Sequence, residues 1–242
     1  MGVLLSWTSA GRGEDSLPPL KNGVAPRMLD ELWRGYDPRA EPLETTLVRE
    51  WQVEEVTCRY VVFMIGTFKG KRSRLAGFYA FPSAAKGKLP GLLHLHGGGQ
   101  RANLTEVIFM ARNGYAALSI NWGAREMEGQ KPGEPNTDWG ALDATQTGHN
   151  THYRSMQPDD KTLDAVESPR NNNWFLLVLA ARRGLTFLER QEQVDAGRLG
   201  ACGHSMGGKL TTDLSGIDER VRAAVPSCGG AGSATSDLAG VS

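Results

Sequence analysis

A serine with a glycine two residues to either side is the first feature of this chain with chemical consequences. Gly203, His204, Ser205, Met206 and Gly207 spell G-x-S-x-G. A serine hydroxyl is a weak nucleophile until a neighbouring base takes its proton, and the oxyanion formed when it attacks a carbonyl needs N–H donors fixed around it. The flanking residues suit that task. Leu199–Cys202 reads as a short apolar strand and Met206–Leu214 as a helix, so Ser205 falls on a sharp strand-to-helix turn. On such a turn the hydroxyl stands above the sheet edge at the positive end of the helix. The turn is tight enough that a side chain at either glycine would strike backbone.

A second stretch, His94-Leu-His-Gly-Gly-Gly-Gln100, closes another apolar strand. Glycines let a backbone approach a ligand with no Cβ in the way. One oxyanion donor is expected from the residue after the nucleophile, Met206, and the other from this loop. Gly98 and Gly99 are the candidates, with Gln100 as an alternative; His96 reads as an organiser of the turn. A base is harder to find. The five histidines are His94, His96, His149, His152 and His204, and all precede Ser205. His204 is expected to point away from the hydroxyl, and His94 belongs to a strand. His149 and His152 lie in a long connection that could fold over the site. Beyond the last strand, Asp237 is a candidate acid.

The elements that must position these groups are legible in outline. Residues 1–42 read as an arm with one short helix in APRMLDELWRGYD. TTLVREWQVEE, CRYVVFMIGTF and RLAGFYAF read as antiparallel strands. From residue 89 the pattern alternates. The strands LPGLLHLHG, YAALSINWG, RLGACGHS and RVRAAVPSCGG are separated by helices over LTEVIFMARNG, WFLLVLAARRGLTFLERQ and MGGKLTTDLSG. Leu104, Val107, Ile108 and Ala111 share one face of the first helix, with Gly114 as its stop; Leu177, Ala181, Gly184 and Leu188 share a face of the second. The expected architecture is α/β: a mostly parallel sheet with antiparallel N-terminal edge strands and helices on both faces, spanning residues 43–242. Between Ala124 and Asn172 runs a long aperiodic insertion, read as a lid or substrate wall. It carries Trp139 and Tyr153, whose rings are candidates for stacking on sugars.

Composition removes other classes. Lys+Arg and Asp+Glu both number 27, so there is no cationic surplus for nucleic acid. No apolar run approaches the roughly 18 residues of a membrane span. The start, MGVLLSWTSAGRGEDS, lacks the basic region of a signal peptide, and the compartment stays open. Cys58, Cys202 and Cys228 are too widely spaced for a zinc site or a disulfide framework.

Together, LPGLLHLHGGGQ, NTDWGALDA, TLDAVESPRNNNW and VDAGRLGACGHSMGGKLT make the chain resemble the α/β-hydrolase superfamily. Within it, the likeness is to dienelactone-hydrolase-like and acetylxylan-esterase-like bacterial carbohydrate esterases, over roughly residues 27–235. The resemblance implies metal-free hydrolysis of an ester, typically acetyl, on a sugar or polysaccharide, in proteins that are often exported. A prolyl-oligopeptidase-like peptidase on the same fold and a binding protein without activity are the alternatives. The resemblance also implies a triad in the order serine, acid, histidine, with the acid and histidine expected beyond residue 242 and the last strands of the sheet missing. The strand holding AAVPS would then be an open apolar edge through which copies of the chain self-associate.

Overall fold

The computed structural model describes residues 15–17, 20, 26, 28–68, 70–140, 170 and 173–229. Seven strands form one sheet: β1 (Thr46–Val53), β2 (Val56–Phe68), β3 (Lys71–Pro82), β4 (Leu89–Leu95), β5 (Ala116–Ile120), β6 (Val194–His204) and β7 (Val221–Ser227). Their order is β1-β2-β3-β5-β4-β6-β7. The pairs β1–β2, β2–β3 and β3–β5 are antiparallel; β5, β4, β6 and β7 run parallel. From β4 the chain steps one way to β5 and later returns to β6 on the other side. The order therefore reverses at β4. A crevice opens outside the carboxyl ends of strands where such a reversal occurs, and both the glycine loop and Ser205 leave the sheet there.

Among the described residues four helices accompany the sheet: α1 (Leu29–Trp33), α2 (Leu104–Arg112), α3 (Asn173–Glu189) and α4 (Met206–Ile217). Helix α2 begins where the Asn103 side chain accepts from Glu106 N at 3.0 Å, and it is followed by Gly114 at φ +86°. It buries Val107 and Ala111 in a cluster with Val62, Ala76 and Phe78, and Leu104 and Ile108 pack on the same cluster. Those four residues are the face expected from the sequence. Helix α3 goes beyond expectation. Leu177, Ala181 and Leu188 are buried, but so are Val178, Leu179, Leu185 and Phe187. A helix that is apolar all round needs cover on its outer side too, and α1 with the residues around it provides that cover. Trp33 stacks on Phe175 with ring centroids 4.2 Å apart, and Leu17 and Leu43 join the same cluster.

Arg183 fastens this cover. It is 1% exposed and donates five hydrogen bonds to four backbone carbonyls: Pro38, Glu41, Pro42 and Met64. A second buried charge cluster joins α3 to the α4–β7 connection. Asp218 accepts from Arg220 Nε at 2.8 Å and from Arg182 Nε at 3.1 Å, and Arg220 also reaches Glu189 at 3.2 Å. Burial pushes the Asp218 carboxyl upward, but Arg220 and Arg182 outweigh it and hold the carboxyl below its ordinary range. Because the folded value lies below the unfolded one, this cluster stabilises the protein above pH 4 or so, and the contribution fades as pH falls through the folded value. The urea midpoint is therefore expected to hold between roughly pH 7 and 5 and to drop below about 4. Asp218→Asn should flatten that acid limb. An unchanged limb in the variant would assign acid sensitivity elsewhere.

The insertion is tied down where it is described. Arg74 N donates to Asp138 O at 2.7 Å and Asp138 N to Arg74 O at 2.9 Å; the Tyr60 hydroxyl donates to Pro135 O. Pro135 and Asp138 are thus held against β2 and β3. At the opposite side of the sheet, Arg222 to Ser227 of β7 are exposed, Val225 at 62%. No described strand pairs with the outer edge of β7. Among the described residues no helix is long and apolar enough to cross a membrane.

Candidate functional site

Ser205 adopts φ 57°, ψ −120°, a backbone conformation that a residue with a Cβ holds only under constraint from its surroundings. Here the constraints are visible. Ser205 N donates to Ser227 O at 2.8 Å, and its carbonyl accepts from Lys209 N at 3.0 Å. A Cβ on Gly203 would sit 2.5 Å from the Gly207 carbonyl and 2.6 Å from Leu95 O. One on Gly207 would overlap Leu95 O and lie 2.8 Å from His96 O. Both glycines are therefore required by backbone on backbone, and the turn is pressed against the end of β4, where Leu95 is in register with Gly203.

The glycine loop starts at that contact. A Cβ on Gly97 would lie 3.3 Å from His204 O, so the loop rests directly on the serine turn. The loop is closed by Gln100, whose Oε1 accepts from Gly97 N at 3.0 Å while its own N–H donates to Gly97 O at 3.3 Å. Gly99 has φ +67°, and its carbonyl accepts from the Arg125 guanidinium. The His96 ring stacks on Trp122 at 4.3 Å and 7°, and Trp122 Nε1 donates to His96 O at 3.2 Å. His96 Nδ1 lies 2.8 Å from Gly97 O; a carbonyl only accepts, so that nitrogen carries the proton. His96 sits as the organiser expected of it, and Gln100 spends its side chain inside the loop. The Gly97 N–H is committed. Among the described residues, no group accepts from the N–H of Gly98, Gly99 or Met206. Trp122 escaped the sequence reading. Its signal is an Asn-Trp-Gly stretch ending the strand beside β4.

The described histidines have partners other than Ser205. His94 Nδ1 lies 2.9 Å from Ser119 Oγ, and burial lowers its pKa to about 4, so it is neutral at pH 7. His204 is exposed, with Nδ1 3.1 Å from Ser227 Oγ. His149, His152, Tyr153 and Asp237 lie outside the described residues. Trp139 requires a correction. It is 7% exposed in the main core cluster, and its Nε1 donates to Trp122 O at 3.3 Å. The ring is buried in the core and offers no open face to a sugar.

The acetyl xylan esterase (AXE1) family matches residues 24–229. Among solved structures, an acetyl xylan esterase from Paenibacillus sp. R4 is similar with a TM-score of 0.52 and 23% identity, over 77% of this chain and 54% of that one. Acetyl xylan esterase 1 from Thermoanaerobacterium sp. JW/SL YS485 is similar with a TM-score of 0.55 and 20% identity, over 83% of this chain and 58% of that one. At such identities the likeness is one of fold, and it is the α/β-hydrolase fold. The chain spans a little over half the length of these two proteins. No curated protein matches it significantly.

Proposed function

Because the chain belongs to the acetyl xylan esterase (AXE1) family, we propose that Ser205 is the nucleophile of a carboxylic ester hydrolase whose substrates are acyl esters of carbohydrate, acetyl esters first. The carrying observation is the Ser205 backbone at φ 57°, ψ −120°, locked by two glycines against β4. In this reading Ser205 Oγ attacks the ester carbonyl carbon, and its proton passes to a base. The carbonyl oxygen becomes an oxyanion received by the N–H of Met206 and that of Gly98 or Gly99. Collapse breaks the bond to the sugar oxygen, which takes the proton back from the base and leaves as a hydroxyl, and water then cleaves the acyl-serine. The closed state of Gly97 supports Gly98 and Gly99 over their neighbour as the loop donors. The described residues do not supply the base.

The test is reaction with a fluorophosphonate probe alongside p-nitrophenyl acetate hydrolysis. The probe is expected on Ser205, and Ser205→Ala should lose both the label and at least about 10³-fold in turnover, with its circular dichroism unchanged. Labelling that survives in Ser205→Ala would overturn the assignment. A folded chain that labels neither by itself nor when extended beyond residue 242 would favour a binding role.

The exposed edge of β7 supports self-association as the partner reading. Gel filtration is expected to show dimers or larger species that Val225→Lys shifts to monomer, since a lysine blunts strand pairing. A monomer at every concentration would refute it.

A further inference from the structure

The residues that follow β5 touch the glycine loop at three points. Trp122 Nε1 donates to His96 O at 3.2 Å, the Arg125 guanidinium donates to Gly99 O, and Asn121 Oδ1 accepts from Ala102 N at 3.1 Å. One short segment thus holds the loop at its start, at its turn and at its end. We propose that Asn121, Trp122 and Arg125 are positioning residues, which fix the turn Gly97–Gln100 so that its N–H groups meet the oxyanion; the proposal rests on the esterase reading of Ser205.

An oxyanion donor works because it is fixed before the charge develops. A turn made of three glycines has little stiffness of its own, so its stiffness has to come from outside. A peptide is planar, and whatever holds its carbonyl also aims the N–H at its other end. Gly97 O lies 2.8 Å from His96 Nδ1 and accepts from Gln100 N at 3.3 Å, which aims the Gly98 N–H. The His96 ring lies flat on the ring of Trp122, at 4.3 Å and 7°. Trp122 is fully buried, and its own carbonyl accepts from Trp139 Nε1 at 3.3 Å. At the other end of the turn, Arg125 holds the carbonyl of Gly99, the glycine whose φ is +67°.

The hold reaches the serine turn directly. His96 O, the atom that Trp122 bonds, is the same carbonyl oxygen that lies 2.8 Å from where a Cβ on Gly207 would stand. Trp122 therefore grips the backbone on which the nucleophile turn is packed. The gripping segment is itself braced. Asn121 is fully buried, and its Nδ2 donates to Arg125 O at 2.7 Å and to Asn136 Oδ1 at 2.8 Å. Asn136 Nδ2 donates to the same Arg125 carbonyl at 2.8 Å. Thr137 Oγ1 donates to Asn121 O at 2.7 Å and accepts from Ala76 N at 3.0 Å, which ties the brace to β3. Arg125 itself is exposed, so it can be replaced without opening the core.

Labelling of Ser205 by a fluorophosphonate over a range of probe concentrations separates the limiting rate from the half-saturating concentration. It is read in this chain, or in the chain extended beyond residue 242 where only that form labels. Arg125→Ala is expected to lower the limiting rate at least about tenfold, short of the roughly 10²–10³ lost with a whole donor, and to leave half-saturation unchanged. Arg125→Lys restores a donor and should recover most of the rate. Trp122→Phe keeps a ring against His96 and removes the N–H, and is expected to slow labelling as well. Amide hydrogen exchange over residues 96–102, followed by mass spectrometry, is the second arm. It is expected to quicken in Arg125→Ala and in Trp122→Phe, with the melting temperature of Arg125→Ala within about 2 °C of the parent. A limiting rate that neither variant lowers overturns the proposal, as does a loss in Arg125→Ala that lysine does not recover. Loop exchange that both variants leave unaltered overturns it too. A folded parent that labels neither by itself nor when extended sinks the esterase reading, and exchange then decides by itself whether these residues hold the loop.

Discussion

Gly207→Ala is expected to yield a chain in which Ser205 no longer reacts with a fluorophosphonate and which melts at least about 10 °C lower, or fails to fold. The added methyl would overlap the Leu95 carbonyl oxygen and lie 2.7 Å from the carbonyl carbon and 2.8 Å from His96 O. None of these atoms belongs to a flexible side chain. Leu95 ends β4, a central strand paired on one side with β5 and on the other with β6. Relief therefore means breaking the β4–β6 pairing or tilting α4 away, and either displaces Ser205. A cost above about 4 kcal/mol is the scale of such backbone conflicts. The same helix provides the control. Gly216 lies in α4 with nothing within 4 Å of its added Cβ. Gly216→Ala is expected to stabilise by about 0.5–1 kcal/mol, since alanine has less backbone entropy to lose. If the two variants melt within about 2 °C of each other, the steric account of the turn is wrong.

Arg183→Met is expected to cost about 3–5 kcal/mol and to open the segment 36–43 to proteolysis before the sheet unfolds. The substitution keeps much of the aliphatic volume and removes five hydrogen bonds. Four carbonyls then face an apolar side chain. Three of them, from Pro38, Glu41 and Pro42, can regain partners only if their segment lifts into water. The fourth, Met64, belongs to β2. Limited proteolysis with mass spectrometry, set beside a urea titration, reads both effects. A variant whose first cleavages fall elsewhere, with a midpoint unchanged from the parent, would show that Arg183 is not the fastener. Arg190→Met is a contrasting case. Its guanidinium donates to a single carbonyl, Arg39 O, at 2.9 Å in an exposed setting. It is expected to change stability by less than about 0.5 kcal/mol.

Much of the site was legible because it is built from neighbours in the chain. The turn around Ser205 is set by residues two positions away, and glycine at both follows from steric rules acting over five residues. The glycine loop announces itself in the same way, through three successive glycines after an apolar strand. Strand and helix boundaries were legible wherever one face alone is buried, as in α2, whose Leu104, Val107, Ile108 and Ala111 meet the sheet as their spacing requires.

What depends on distant segments was not legible. The reversal of strand order at β4 brings the loop and the turn together, and no local pattern encodes which strands become neighbours. Periodicity picks out one buried face of α3, but α1 and the residues around it bury the other, where Arg183 is a buried clasp. Trp139 reads as a ring on a loop. Its burial follows from the β3–Asp138 pairing, which folds the insertion back onto the sheet. Gln100 reads as a spare donor; its amide oxygen closes the loop because Gly97 returns to within reach of it. By itself, then, the sequence determined the strained serine, the glycine loop and the α/β class, since each rests on contacts between residues close in the chain. Only the tertiary structure decided which charges are buried and which aromatic rings are covered. Those properties depend on what packs over a residue, and that is supplied from elsewhere in the chain.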